Sequence, residues 1–357
     1  MSTQRSPKVT VVGAGIIGAA IAWQLSRQGA TVTVLDLGGG ATPNSFGWIN
    51  AVTTDESYFR LRVRAMSSWR SVEKELPGLL VDWTGALRWD AASSEELEAS
   101  VARLRGWDYE ISCVDSAAVT SLEPALASPP ALAAYAPADG AVDGGIAARV
   151  FLAAAADLGA VVARGTRVLS LKTSADRITG VNTSAGDVLA DETVLAAGVA
   201  NEALAATVGC TIPLASSPAL LIVTSPQLRV LRGLVLSPDA YVRQCADGRL
   251  IASTDEVEDL DAARCAKAVA KLLHTVQEIF KQPPALELES SVVSQRPNTV
   301  DGLPALGRFS GLRGLYIAAL HSGITLAPAV SEFAAQEILF DRRDSLLVPF
   351  APDRFIR

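Results

Sequence analysis

The feature that most constrains this chain lies at its start. Val9–Val12 is a short apolar, β-branched run of the kind found in buried parallel strands, and Gly13-Ala-Gly15-Ile-Ile-Gly18 follows without a spacer. Ala19–Arg27 carries apolar residues at Ala20, Ile21, Trp23 and Leu25, which predicts a helix that Gly29 stops. Thr31–Leu35 reads as a second buried strand, with Asp36 at its end. Strand, glycine turn, helix, strand and terminal acid form a βαβ unit suited to a dinucleotide. Gly13 permits a tight turn, Gly15 lets backbone approach a pyrophosphate, and Gly18 lets the helix pack on the strand. The helix N-terminus then offers unpaired N–H groups and partial positive charge to the phosphates. Asp36 lies 18 residues after Gly18 (36 − 18), placed to accept hydrogen bonds from ribose hydroxyls. An acid there, rather than arginine, argues against a 2′-phosphate but does not choose between FAD and NAD.

Size and charge narrow the rest. At 357 residues the chain is long enough for two domains, and 49 % apolar against 19 % charged residues is globular rather than disordered composition. A net charge of −7 gives no electrostatic attraction for nucleic acid or an anionic membrane, so an acidic substrate needs a local cation. Cys113, Cys210, Cys245 and Cys265 are scattered without metal-ligand spacing, which predicts free thiols and no metal. Met1–Lys8 is short and polar, unlike a targeting signal, and no apolar run approaches the ~20 residues of a membrane span. These features predict a cytoplasmic protein with no membrane or nucleic-acid partner.

Further along, Gly38–Asn50 reads as an irregular loop and Ser57–Leu76 as a helix. Leu79–Ala91 suggests one or two strands, with tryptophans alternating with small residues, and Glu95–Leu104 a helix. Ala141–Gly145 is a turn before a helix at Ile146–Leu158. Strands follow to Glu192–Ala197, which runs into Gly198 and returns the chain to the nucleotide sheet. A strand-rich block spans Ala219–Ser253, then a long helix at Ala262–Phe280 and a strand at Leu286–Gln295. Leu315–Ala319 is one more buried strand, and Thr325–Phe340 a last helix with Pro328 in its first turn.

Six separated blocks make the chain resemble the D-amino-acid oxidase superfamily of FAD-dependent oxidoreductases, in its glycine oxidase and sarcosine oxidase-like branch. They are Val11–Gly18 with Asp36; Asn44-Ser-Phe-Gly-Trp48; Val142–Gly159 with Thr166-Arg-Val168; Val194–Gly198 with Asn201; Arg296–Gly307; and His321–Pro328. The resemblance implies an α/β fold with a Rossmann-type FAD-binding domain of the glutathione-reductase kind. An α+β substrate domain on an antiparallel sheet is inserted into it. The expected division is 1–50, 141–212 and 296–357 for FAD, and 51–140 and 213–295 for substrate. FAD contacts are implied at Gly13, Gly15, Ile16, Ile17, Gly18, Asp36 and Leu37. Others are implied at Asn44, Ser45, Gly47, Trp48, Val168, Ala197, Gly198, Asn201 and Gly302. The stretch His321, Ser322, Gly323, Ile324, Thr325 and Leu326 completes the set. This last turn delivers a helix N-terminus to the edge of the flavin where reduction places negative charge.

The implied reaction is oxidation of the C–N bond of a small amino acid or secondary amine, by hydride transfer to flavin N5, giving an imine that hydrolyses. Arg296 stands where the resemblance places a carboxylate-binding arginine, and a guanidinium suits that task. An ion pair between domains is its structural alternative. His321 departs from the glycine oxidase pattern, which has arginine at about that place; it either faces flavin or substrate or is a structural turn residue. Tyr241 and Trp48 are candidates for the substrate side, against plain packing roles, and His274 reads as structural. No general base is evident.

Two further departures bear on the chemistry. No cysteine lies in the Arg296–Gly307 turn, so FAD is expected to be non-covalent. The strand Gly248–Thr254 lacks the lysine that sarcosine oxidases use for oxygen, which leaves a dehydrogenase with another electron acceptor open. An oligomeric or electron-accepting partner is equally open. Two alternatives stand beside this reading: a nicotinamide-dependent dehydrogenase, and a non-catalytic FAD-binding subunit of a larger complex.

Overall fold

The computed structural model describes residues 6–215, 217–255, 257 and 262–356. The polar start is therefore outside the described residues up to position 5. Two sheets dominate. In the first, five parallel strands run in the spatial order Leu312–Ala319, Glu192–Leu195, Lys8–Val12, Thr31–Asp36, Val161–Arg164. Lys8–Val12 is central and its side chains divide between two cores. Val9 and Val11 join the helix layer, while Val12 joins a cluster with Leu35, Leu195 and Ile317. A strand buried on both faces reads as an unbroken apolar run, which is why this segment was legible. Val168–Ser174, Arg177–Thr183 and Gly186–Leu189 extend the sheet beyond Leu312–Ala319.

The helix Ile16–Arg27 packs against Gly144–Asp157 and Gly323–Phe340. Ala19, Ala20 and Ala22 are buried and small, so the helices approach closely, and Trp23 meets Phe151 with ring centroids 5.5 Å apart. Asp143 caps the second of these helices by accepting from Ile146 N at 2.7 Å. The third begins at Gly323, two residues before the expected Thr325, so Pro328 lies inside it and past its first turn.

The second sheet runs Leu288–Gln295, Pro218–Thr224, Leu250–Thr254, Tyr241–Gln244, Leu234–Leu236, Ala86–Arg88, Leu132–Ala136, Ser112–Asp115. It is antiparallel except for the parallel pairing of Leu234–Leu236 with Ala86–Arg88. The helix Ala262–Glu278 covers one face, burying Leu272 and Val276 against Leu220, Ile222 and Ala252. Its other face looks toward the parallel sheet. Short ladders, Trp48–Ile49 with Gly140–Ala141 and Leu214–Ala215 with Asn298–Thr299, lie where the chain passes between the sheets.

Leu79–Ala91 holds one of the one or two strands expected, Ala86–Arg88, after a 3-10 turn at Pro77–Leu79 and a left-handed Leu80. Trp83 packs at the edge of the helix-layer core, and its indole donates to Glu73 Oε2 at 2.8 Å under the Arg70 guanidinium. Among the described residues, no helix is long and apolar enough to cross a membrane, no cluster of ligating side chains could hold a metal ion, and the four cysteines are free thiols.

Candidate functional site

A continuous crevice of about 950 Å³ opens between the C-terminal ends of the parallel strands and the open face of the antiparallel sheet. Ligands of doubly wound sheets bind at such strand ends. Gly13, Gly15, Ile16 and Ile17 line it from the first turn, Asp36 and Leu37 from the second strand, and Val168 from beyond the last parallel strand. Ala197, Gly198 and the run His321–Thr325 line it from the neighbouring strand ends. Gly15 and Gly323, 308 positions apart in sequence (323 − 15), therefore share one crevice. A Cβ placed on Gly323 would touch Ile17 at 3.4 Å.

Backbone geometry at the first turn demands glycine. Gly13 has φ +100°, and a Cβ there would lie 2.4 Å from Ala196 O. At Gly18 a Cβ would lie 2.0 Å from Gly13 O. This second glycine faces the strand and not the crevice, so it shapes the turn without lining the site. Asp36 Oδ1 accepts from Ala14 N at 3.0 Å, tying the acid to the turn. Thr42 Oγ1 accepts from Ile16 N at 3.0 Å and so stands at the helix N-terminus. Sequence reading missed Thr42 because the loop around it has no period. A glycine cradle at a helix N-terminus, an acid at the next strand end and a long crevice fit a dinucleotide such as FAD.

The far end of the crevice carries the charged groups. Arg296 Nη1 pairs with Asp255 Oδ1 at 3.0 Å, and its Nε and Nη2 each donate to a backbone carbonyl, of Ser217 and Pro218, at 3.3 Å. Arg296 thus carries an ion pair, to a residue that follows another strand of the same sheet, and it also lines the crevice. Tyr241 lines it too and donates its hydroxyl to Asp90 Oδ2 at 2.8 Å. Burial, and then the Asp90 charge, pushes that phenol well above its ordinary range. Trp48 lines the crevice with its indole N–H on Asp139 Oδ2 at 2.9 Å. Asp139 is buried behind it and also accepts from the Tyr109 hydroxyl. Burial lifts the Asp139 carboxyl to about 7, against the pull of these two donors.

Arg62 donates to Ser322 Oγ, and Ser322 Oγ lies 2.9 Å from His321 Nδ1. The serine hydroxyl donates to Nδ1 in the tautomer with its proton on Nε2 and accepts from Nδ1–H in the other. Burial, then the Arg296 and Arg62 charges, pushes the imidazole down to about 4, so it is neutral at pH 7. Ser322 itself is left-handed, at φ 57°, where the chain turns into the last helix.

Four expected contacts lie elsewhere. Gly18 packs as described. Asn201 is buried beneath the crevice, where its side chain accepts from Ala197 N at 2.8 Å and donates to Ala318 O at 3.1 Å. Leu326 points into the core. Gly302 sits in a turn whose neighbour Asp301 is drawn to Arg354 at 2.7 Å, away from the crevice. Asn44, Ser45 and Gly47 do line it. Four charged lining residues escaped sequence reading: Arg62, Arg88, Asp90 and Asp255. Arg62 had a signal, because Phe59, Arg62 and Met66 share one helix stripe, and an arginine among apolar neighbours asks for a partner. It finds Asn50 Oδ1 at 2.8 Å and the Tyr58 ring at 4.7 Å.

Comparison with known proteins agrees with this geometry. The pattern of the DAO family, described as FAD dependent oxidoreductase, matches residues 8–337. The glycine oxidase of Geobacillus kaustophilus (strain HTA426) is 26 % identical over 368 residues, covering 98 % of this chain and 97 % of the relative. An opine oxidase subunit of Rhizobium meliloti is 27 % identical over 365 residues, covering 97 % of each. The crystal structure of glycine oxidase from Geobacillus kaustophilus superposes with a TM-score of 0.87 at 26 % identity, over 99 % of this chain and 100 % of that one. The cofactor is accordingly FAD and not a nicotinamide dinucleotide, and the chain belongs to the DAO family of FAD-dependent oxidoreductases.

Proposed function

We propose that this chain oxidises the C–N bond of a small amino acid or secondary amine whose carboxylate is seated on Arg296. The observation that carries the reading is that Arg296, Tyr241 and His321 line the same crevice as the glycine turn at Gly13–Gly15 and the helix start at Gly323. The name of the similar glycine oxidase points the same way. When bound, FAD supplies the acceptor for the two electrons removed from the substrate. The nucleotide end is assigned to Gly13, Gly15, Asp36 and Val168, and the flavin end to Gly198 and Ser322–Thr325. No cysteine stands in the Arg296–Gly307 turn, so the cofactor is held without a covalent bond.

Each polar group then has one task. Arg296 fixes the carboxylate, and Tyr241, held on Asp90, borders the reacting carbon. His321 borders the crevice as a neutral imidazole. The amine must be neutral to react, yet Tyr241 is too weak an acid and His321 too weak a base near pH 7 to take its proton. The proton is therefore lost to water before the chemistry. The Leu250–Thr254 strand carries no lysine, and either oxygen or another acceptor takes the electrons from the reduced flavin. An anaerobic titration of the flavin absorbance with glycine, sarcosine, proline and D-amino acids tests the reading. Bleaching by at least one of them supports it, and a flavin unmoved by every amine overturns it.

A second reading is favoured by the likeness to an opine oxidase subunit. Here the chain carries out the same oxidation as one component of an assembly. Light scattering of the protein purified from its native source separates the two.

A further inference from the structure

The face of the antiparallel sheet that lines the crevice has a regular polar layout. Register pairs Ser253 with Tyr241, Tyr241 with Leu236, and Leu236 with Arg88. Directly paired residues project to the same side of a sheet, so this row shares one face. Two residues beyond Ser253 stands Asp255, the partner of Arg296. Two residues beyond Arg88 stands Asp90, whose Oδ1 accepts from Arg88 Nε at 2.9 Å. Tyr241 is thus flanked by two arginine–aspartate pairs.

The two pairs are spent differently. Arg296 has Nη1 on Asp255 and its other nitrogens on backbone carbonyls. Arg88 uses Nε on Asp90, and the second oxygen of Asp90 is taken by Tyr241. Arg88 Nη1 is buried with no hydrogen-bond partner, although the residue lines the crevice. A buried donor left unmade is costly, the more so on a charged group, so a ligand that satisfies it gains affinity. Charge agrees with this. Arg62, Arg88 and Arg296 against Asp90 and Asp255 leave this end of the lining with one net positive charge (3 − 2). A zwitterion with one carboxylate and one ammonium is neutral, whereas a second carboxylate gives it the matching single negative charge.

We propose that Arg88 binds a second carboxylate, so that the substrate is a secondary amine carrying two: one on Arg296 and one, at the end of the nitrogen substituent, on Arg88. This rests on the C–N oxidation assigned above and names the substrate class for that same site. The oxidised bond lies between the two anchors, beside Tyr241. A guanidinium whose Nε is held by an acid offers its terminal edge to a carboxylate.

The test uses the FAD-loaded protein and glycines substituted on nitrogen. One series carries a carboxylate one, two or three methylenes from the nitrogen, beginning with iminodiacetate. The other carries N-alkyl groups of matching length. Dissociation constants come from the dependence of anaerobic flavin bleaching on concentration. At one chain length the dicarboxylate is expected to bind at least tenfold tighter than its alkyl match. In Arg88→Gln that ratio falls to near one, and Arg88→Lys restores part of it, with flavin content confirming that both variants fold. A ratio near one in the unaltered protein, or a ratio that survives Arg88→Gln, overturns the proposal while leaving amine oxidation standing. A flavin bleached by neither series overturns both.

Discussion

Trp69 donates its indole N–H to the backbone carbonyl of Ile324, at 2.9 Å. That carbonyl is the one Pro328 cannot serve, since it lies four residues earlier in the helix and proline has no N–H. The indole also reaches Thr325 O at 3.1 Å, and Trp69 is fully buried. A helix-breaking residue is thus accommodated in the element that delivers Ile324 and Thr325 to the crevice. Trp69→Phe should retain most of the apolar packing and leave the Ile324 carbonyl buried without a donor. A loss of about 1–3 kcal/mol in urea unfolding is expected, together with weaker FAD retention. A variant within about 0.5 kcal/mol of the parent, the range of ordinary surface changes, would show that the bond is dispensable.

Gly13→Ala sets a methyl group against the Ala196 carbonyl at a φ of +100°. Neither the strand end nor the turn has room to yield. The expected product is folded or partly folded protein without flavin, read from the ratio of visible to ultraviolet absorbance alongside circular dichroism. Normal flavin content would remove the glycine turn from the cofactor site.

Arg296 and Asp255 should give opposite results. Arg296→Leu removes the anchor, and carboxylate ligands should bind at least about 30-fold more weakly, the low end of the cost of losing one partner of a hydrogen-bonded charge pair. FAD should stay bound. Asp255→Asn removes the charge that competes for the same guanidinium, so the same ligands should bind more tightly. Titration of flavin absorbance with a carboxylate such as acetate or glycine reads both. Tighter binding in neither variant and weaker binding in both would mean that Asp255 supports the site and does not compete within it.

Two buried groups couple stability to pH with opposite signs. His321 titrates near 4 when folded, below its ordinary value of 6.5, so its contribution is present above 6.5 and is lost as pH falls from there toward 4. Asp139 titrates near 7 when folded, above its ordinary 3.8, so its contribution is present below 3.8 and is lost as pH rises toward 7. Relative to the parent, the melting temperature of His321→Asn should improve as pH is lowered through that first window. That of Asp139→Asn should improve as pH is raised through the second. Parallel melting curves for parent and variant across the window would refute the assignment for that residue.

The fold was legible where periodicity was strong. The buried run at Val9–Val12, the glycine turn and the closing acid specify a parallel strand pair and a dinucleotide site in one stretch of sequence. Lining residues fixed by backbone, such as Gly13, Gly198 and Gly323, were legible for the same reason. Side chains that acquire their setting from another element were not. Asp255 follows a strand with no local mark of the Arg296 it meets. Arg88 gains its place from a parallel pairing with Leu234–Leu236, nearly 150 residues away (234 − 86 = 148). Asn201, near the strand end, looked like a flavin contact; only the tertiary structure reveals that its amide faces inward. Gly302 was misplaced because an Asp-Gly turn carries no information about which side of the molecule it faces, and here Asp301 is claimed by Arg354.

Asn201 has a mechanical consequence. By bridging Ala197 N and Ala318 O, it pins two adjacent parallel strands at a common height just where each breaks off. Force applied to one rim then reaches the other through this carboxamide as well as through the backbone ladder that joins the two strands. Whatever settles on Gly198 is thereby held at constant distance from whatever settles on Gly323, even when the rest of the enclosure breathes.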